Sequence, residues 1–315
     1  MNHTLAFIFP GQGSQSAGML SSLLAEEAVV RDCVSEASDV LGYDMAALIA
    51  ENPHDQLHQT EFTQPALLTA SIALLRLWQH RQGGAPSCVA GHSLGEYSAL
   101  VATGSLAFSD AVSFVAFRGR MMTQAVPVGT GKMAAVLGLE QDVMNNICQQ
   151  SSHEQAQVWL ANDNCPGQLV IAGHTAAVEL AMTACTAAGA RRVLPLAVSV
   201  PSHTPLMQPA ADAMSERLQS MVLQPLQCPL WSNVDAQPKQ QVDDIRAGLL
   251  AQLTSPVRWT DCMRNMTASG INTAVEMGPG KVLAGLMRRI DKGCTVYVSD
   301  SDAAMQKALH GVTHA

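Results

Sequence analysis

One stretch, SCVAGHSLGEYSAL from Ser87 to Leu100, restricts the fold more than any other. A short apolar strand, Cys88–Ala90, runs into Gly91-His92-Ser93-Leu94-Gly95, and a helix over Leu94–Thr103 follows at once, stopped by Gly104. At ordinary glycine and serine frequencies, Gly-x-Ser-x-Gly arises by chance in a chain of this length about one time in ten. The flanking elements therefore carry the inference. A strand that turns this sharply into a helix is a nucleophile elbow, which lifts the serine hydroxyl clear of the sheet. Glycines bracket it because side chains there would meet the neighbouring strand and helix. The Leu94 N–H lies unpaired at the positive end of the helix dipole, where it can bind a developing oxyanion. The plainer alternative is a strand–helix turn with no chemistry.

The rest of the chain alternates in the same way. Leu5–Phe9 is a strand, and helical material fills Ala17–Leu41 up to Gly42. Thr63 is placed to cap a helix that carries Pro65 in its first turn and ends near His80. Ser109 is placed to cap another that runs to about Ala125. Such βα alternation builds a parallel sheet with helices on both faces. The pattern then changes. Met133–Leu139 reads as a strand, Gln141–Gln150 as a helix, and Val158–Ala161 and Leu169–Ala172 as strands joined by the turn Asn164-Cys165-Pro166-Gly167. A helix over Ala176–Ala188 and a strand over Arg192–Leu196 complete a β-α-β-β-α-β order, the ferredoxin-like unit. The expected organisation is a large α/β part, residues 1–127 and 198–315, with a small ferredoxin-like part inserted at 128–197 and the site in the cleft between them.

The loop after the first strand, FPGQGSQSAGM, invites a phosphate reading and fails it. Gly11 and Gly13 fit the dinucleotide fingerprint, but Ser16 stands at its third glycine, and no Lys-Ser or Lys-Thr pair follows for a Walker loop. A net charge of −8 argues against nucleic acid. Lys281, Arg288, Arg289 and Lys292 are either a patch for an acidic partner or a solvated helix face. A later stretch free of Asp, Glu, Lys and Arg, residues 193–211, holds four prolines and is no membrane span, and no signal peptide is expected. Eight cysteines without a Cys-x-x-Cys pair fit reduced thiols in a cytoplasm. His54 and His58 lack a third ligand, so no metal is expected.

A serine nucleophile needs a base. Of ten histidines, His203 is the best placed: in VPSHTP, it follows the apolar run Leu196–Val200, read as the end of a strand, and Pro201 and Pro205 stiffen its loop. His92 beside Ser93 reads as packing or orienting. Asp110, Asp142 and Asp163 lie between Ser93 and His203, none in a convincing loop after a strand, so an acid to orient the base is not evident. A helix over Gln241–Leu253 must stop before Pro256, and its unpaired last carbonyls, that of Gln252 among them, can take that part. Arg118 shares a helix face with Phe114, Val115, Met121 and Met122. Buried there, its fork suits a carboxylate. Otherwise it snorkels or pairs with a carboxylate of the protein.

The chain resembles the malonyl-CoA:acyl carrier protein transacylases of bacterial fatty acid synthesis over essentially its whole length. The residues that carry the likeness are FPGQGSQ at 9–15, TEFTQPAL at 60–67, GHSLGEYSAL at 91–100, RGRMM at 118–122, NCPGQLVIAG at 164–173, VSVPSH at 198–203, SPVRW at 255–259 and EMGPGKVL at 276–283. The resemblance implies an α/β-hydrolase-like core with a ferredoxin-like insertion. It also implies Ser93 as nucleophile, His203 as general base and acid, the Gln252 carbonyl orienting His203, Arg118 on the malonyl carboxylate, and the N–H groups of Gln12 and Leu94 as oxyanion hole. Malonyl-CoA is then the substrate and the phosphopantetheine thiol of acyl carrier protein the acceptor. No bound cofactor, nucleic acid or membrane is expected, and the expected state is a cytoplasmic monomer. Ser202 precedes His203, where many relatives in modular synthases carry an aromatic residue. Three other activities compete: a serine esterase or thioesterase, a non-catalytic scaffold within a larger synthase, and a malonyl transferase of a malonate decarboxylase or polyketide pathway.

Overall fold

Five successive buried residues, Leu5–Phe9, form strand β1, and their alternation lays out the larger half of the molecule. Leu5, Phe7 and Phe9 face one apolar core, while Ala6 and Ile8 face another. The first core includes the helix Thr60–His80, and the second includes the helices Trp259–Ala268 and Val282–Ile290. A strand with apolar residues on both sides must be covered on both faces, as parallel sheets are. The computed structural model describes residues 4–198 and 200–313. Among these the further strands are β2 (Cys88–Gly91), β3 (Gly131–Leu137), β4 (Val158–Cys165), β5 (Gln168–His174), β6 (Arg192–Pro195), β7 (Leu230–Trp231), β8 (Pro238–Lys239), β9 (Val257–Arg258), β10 (Thr273–Glu276) and β11 (Thr295–Val298). One sheet runs β11-β10-β1-β2-β7-β8 and is parallel except at β8. It is the α/β-hydrolase-like core.

The second sheet runs β6-β3-β5-β4-β9. Its first four strands are antiparallel, and with the helices Gln141–Gln150 and Thr175–Ala187 they make the ferredoxin-like subdomain. Those helices cover one face, packing on Ala134, Val136, Val158 and Ile171. The other face presents Met133, Ala161, Val170 and Ala172. The sheet does not end with the inserted residues: β9, from beyond residue 198, pairs in parallel with β4 through Asn162 and Asp163. Arg289 adds a second tie, donating to the Gln168 side chain at 2.8 Å and to the Pro166 carbonyl at 2.8 Å. Arg289 is thus more than part of a solvated helix face.

Three local expectations differ from the structure. The helix expected to start at Thr63 starts at Thr60, so Pro65 sits inside it; Thr63 donates its hydroxyl to the carbonyls of Leu57 (2.6 Å) and Gln59 (2.9 Å) and caps nothing. The helix expected to follow a Ser109 cap begins at Phe108, with Ala107 at the cap position. No strand precedes His203: pairing ends with β6 at Pro195, and the described part of the apolar run 196–200 is irregular, Ser199 lying outside the described residues. That run is apolar because it passes from one core to another, Val198 packing on the small sheet and Val200 in the large core. Among the described residues all eight cysteines are free and buried, and no helix is long and apolar enough to cross a membrane.

Candidate active site

The carboxyl ends of β1, β2 and β7 lie side by side, and each is followed by a residue of the site: Gln12, Ser93 and Asn233. The elbow is tight. Ser93 holds φ at 51°, a left-handed value rare for a non-glycine residue. A Cβ on Gly91 would fall 1.9 Å from the Gly95 carbonyl carbon, and one on Gly95 would fall 2.1 Å from the Phe9 carbonyl oxygen. The loop after β1 comes equally close, since a Cβ on Gly11 would lie 2.4 Å from the His92 carbonyl oxygen. That approach brings the Gln12 backbone beside the elbow. Among the described residues, neither the Gln12 nor the Leu94 N–H donates to a protein acceptor.

Ser93 Oγ lies 2.8 Å from His203 Nε2, and His203 Nδ1 lies 2.8 Å from the Gln252 carbonyl oxygen. A carbonyl only accepts, so Nδ1 carries the proton and Nε2 is left to accept from the serine hydroxyl. Among the described residues no carboxylate orients the histidine. Asp163, one of the three acids considered, accepts instead from the Thr260 hydroxyl at 2.6 Å. Burial pushes the His203 imidazole down to about 3; the Gln252 carbonyl opposes this and the Arg118 charge adds to it. A value below the ordinary 6.5 keeps His203 an unprotonated base through neutral and mildly acidic pH. Between about pH 8 and pH 5, kcat/KM for the acyl-CoA substrate should therefore show no half-loss centred near 6.5. Rapid-quench measurement of Ser93 acylation checks this, and an inflection there would assign His203 an ordinary, solvated environment.

Arg118 is 1% exposed, which removes the snorkelling alternative. Its Nη1 donates to Gln64 Oε1 at 2.8 Å, and its Nη2 to Gln252 Oε1 at 3.1 Å and to Ser93 Oγ at 3.3 Å. The guanidinium lies over the Tyr97 ring, 5.6 Å from its centroid, and Nε has no partner among the described residues. No carboxylate forms an ion pair with it among the described residues, so the alternative of a protein counter-ion falls as well. A buried cation held only by neutral amide and hydroxyl oxygens is an incomplete site for an anion.

A cavity of about 400 Å³ opens onto these groups. One wall is the elbow and the loop at Gln12; the other is the face of the small sheet that its two helices leave uncovered, with Met133, Ala135, Asn162, Asn164 and Val170. Register shifts in β4 at Leu160/Asn162 and Asp163/Cys165 mark bulges, which re-aim side chains. His92 crosses the cleft, its Nε2 2.8 Å from Asn164 Oδ1, and its ring packs tilted against Trp259, 5.4 Å between centroids. It packs and orients, as its place beside Ser93 suggests.

Reading the sequence alone missed Glu96, Asn233 and Gln64. Asn233 Oδ1 accepts the Ser93 N–H at 2.7 Å, and its Nδ2 donates to the Gly91 carbonyl at 2.7 Å. Glu96, 2% exposed, accepts the Asn233 N–H (2.7 Å) and the Gln252 Nε2–H (2.6 Å). Burial pushes its carboxyl up against the pull of those two donors and of Arg118; with an N–H donor on each oxygen a proton there would face a donor, so the group is held as the carboxylate. Only Glu96 left a signal in the sequence, as the one charged residue in a helix of mostly apolar residues. Among the described residues no cluster of side chains suits a metal ion.

The chain is similar to known proteins over nearly its whole length. The acyl transferase domain family matches residues 6–303. The malonyl CoA-acyl carrier protein transacylase of Escherichia coli (strain K12) is 49% identical over 304 residues, covering 96% of this chain and 98% of that one. The acyl carrier protein S-malonyltransferase of Vibrio cholerae superposes with a TM-score of 0.93 at 47% identity, over 96% of this chain and 99% of that one. A malonyl-transacylase solved in complex with its type II PKS acyl-carrier protein superposes at 0.95 with 46% identity, over 98% and 99% of the two chains.

Proposed function

Because the chain belongs to the acyl transferase domain family and, within it, to the malonyl CoA-acyl carrier protein transacylases, we propose that it moves a malonyl group from malonyl-CoA to the phosphopantetheine thiol of acyl carrier protein, supplying fatty acid synthesis. The reaction has two halves. His203 Nε2 takes the Ser93 proton as Oγ attacks the thioester carbonyl. The Gln12 and Leu94 N–H groups receive the tetrahedral oxyanion, which collapses and expels CoA as a thiolate. That thiolate leaves with the proton from His203, and malonyl stays as an ester on Ser93. In the second half His203 deprotonates the carrier thiol, which attacks the ester, and Ser93 recovers its proton. The Gln252 carbonyl holds the imidazole in the tautomer both halves need and stabilises its charged form. No bound cofactor or metal takes part, and a single chain in the cytoplasm is the working unit.

The observation that carries this reading is Arg118, a buried guanidinium within 3.3 Å of the nucleophile and without a carboxylate partner among the described residues. A cation that touches the nucleophile leaves room for only a short acyl chain ending in an anion, and malonyl is such a chain. The same proposal divides the chain into a large part, 1–127 and 198–315, and a small part, 128–197, whose open sheet face forms the far wall of the acyl cavity.

The test is to mix the protein with malonyl-CoA, then with holo acyl carrier protein, and follow both proteins by mass spectrometry. The chain should gain one malonyl group and pass it to the carrier faster than free malonate appears. Malonate released ahead of malonyl-carrier would make the protein a thioesterase. Running fatty-acid and polyketide carriers side by side separates the two acceptor classes.

A further inference from the structure

Three groups of the proposed mechanism meet at one residue, Gln252. The main-chain carbonyl of Gln252 accepts from His203 Nδ1 (2.8 Å), its Oε1 accepts from Arg118 (3.1 Å), and its Nε2 donates to the Ser93 carbonyl (3.0 Å). Which way that side-chain amide faces decides whether Arg118 meets an oxygen or another N–H donor. The Glu96 carboxyl settles it. Its Oε2 accepts from Gln252 Nε2 at 2.6 Å, and its Oε1 is already taken by the main-chain Asn233 N–H at 2.7 Å. An acceptor facing the amide nitrogen leaves Oε1 of Gln252 turned toward Arg118.

We infer that Glu96 is a positioning residue for acyl selectivity, fixing the Gln252 amide so that Arg118 is held in place for the malonyl carboxylate. The inference rests on the proposed malonyl transfer and goes beyond it, to a residue outside the reacting set. Glu96 lies three residues past the nucleophile in the elbow's own helix, Gly95–Ala102, and is as buried as the apolar side chains around it. A buried acid with both oxygens facing donors is costly to desolvate, and its two partners, the Asn233 N–H and the Gln252 amide, are what it is kept for.

Glu96→Gln tests the idea because the outcome follows from donor and acceptor counting. The Asn233 N–H belongs to the main chain and cannot turn, so the new amide must offer it oxygen. Its NH2 then faces Gln252 Nε2, donor against donor. Relief requires Gln252 to turn over, which sets its NH2 against the Arg118 guanidinium and strips the Ser93 carbonyl of a donor. The expected result is a roughly tenfold fall in kcat/KM for malonyl-CoA, mostly through KM, with acetyl-CoA transfer changed less than about threefold. In an Arg118→Ala background the same substitution should have little further effect on malonyl transfer, since the group it acts through is gone.

A merely structural role predicts otherwise. The malonyl and acetyl reactions would fall together, or the loss would be the same with and without Arg118, and either result overturns the inference. If the wild-type chain shows no preference for malonyl over acetyl, or keeps it in Arg118→Ala, the proposed function fails instead. Should Glu96→Gln not fold, Glu96→Asp carries the same comparison: it retains the acid but draws it back from Gln252, and the malonyl-to-acetyl ratio must still drop. An unchanged ratio in a folded Glu96→Asp overturns the inference equally.

Discussion

Ser93→Ala should yield a folded protein that gains no mass from malonyl-CoA and transfers nothing to a carrier thiol. Without the hydroxyl no ester forms, so neither half of the reaction can run. The loss in kcat/KM should be at least about 10⁴-fold, the scale seen when a serine nucleophile is removed from a working triad. Stability should change little, by about 1 kcal/mol, because alanine keeps the Cβ of a residue whose φ of 51° is imposed by the turn. The lost hydrogen bonds are those of Oγ with His203 and Arg118. Malonyl-CoA should still bind, since the carboxylate site and the oxyanion donors remain, and calorimetry at equilibrium measures this directly. A malonyl adduct that persists in Ser93→Ala would place the nucleophile elsewhere and undo the mechanism.

Arg118→Ala should separate two substrates that the wild-type protein treats very differently. Two charge-assisted hydrogen bonds to a buried carboxylate contribute about 1.5–3 kcal/mol each. With some of that spent on the amides that hold Arg118 in the free protein, a net loss of about 3–4 kcal/mol is expected, or roughly 10²–10³-fold in kcat/KM for malonyl-CoA. Acetyl-CoA has nothing to offer the guanidinium, so its transfer should stay within a few-fold. Arg118→Lys should fall between, keeping the charge but losing the planar fork that spans Gln64, Gln252 and the substrate. Side-by-side steady-state assays with the two acyl-CoAs decide the point. Equal losses for malonyl and acetyl would mean that Arg118 supports the elbow and leaves the substrate alone.

Much of the site was legible in the residues. Gly-x-Ser-x-Gly between a strand and a helix identified Ser93 and the Leu94 N–H, because a tight turn of this kind is written in consecutive residues. The helix end before Pro256 offered the Gln252 carbonyl, and that helix runs from Val242 to Thr254. The apolar neighbours of Arg118 announced its burial. His203 was reached by a partly mistaken route: no strand precedes it, yet it stands at the nucleophile, with φ at 64° in a turn just past Pro201. The caps expected at Thr63 and Ser109 failed because both helices start earlier, where packing and not a local side chain sets the first turn.

Taken alone, the order of residues determined the alternation of elements, the two-part architecture, the bent serine and the resemblance that named its chemistry. These are local matters, spelled out by hydrophobic period, glycine placement and short motifs. The tertiary structure alone decided that Asn233 clasps the Ser93 backbone, that Glu96 orients Gln252, that Gln64 and Gln252 share Arg118, and that a strand from beyond the insertion extends the small sheet. Those contacts join residues 54 to 156 positions apart in the chain. A hydrogen bond between distant residues leaves no period and no spacing behind. It exists only because two cores pack so that the carboxyl ends of three parallel strands and the end of a later helix meet at one point.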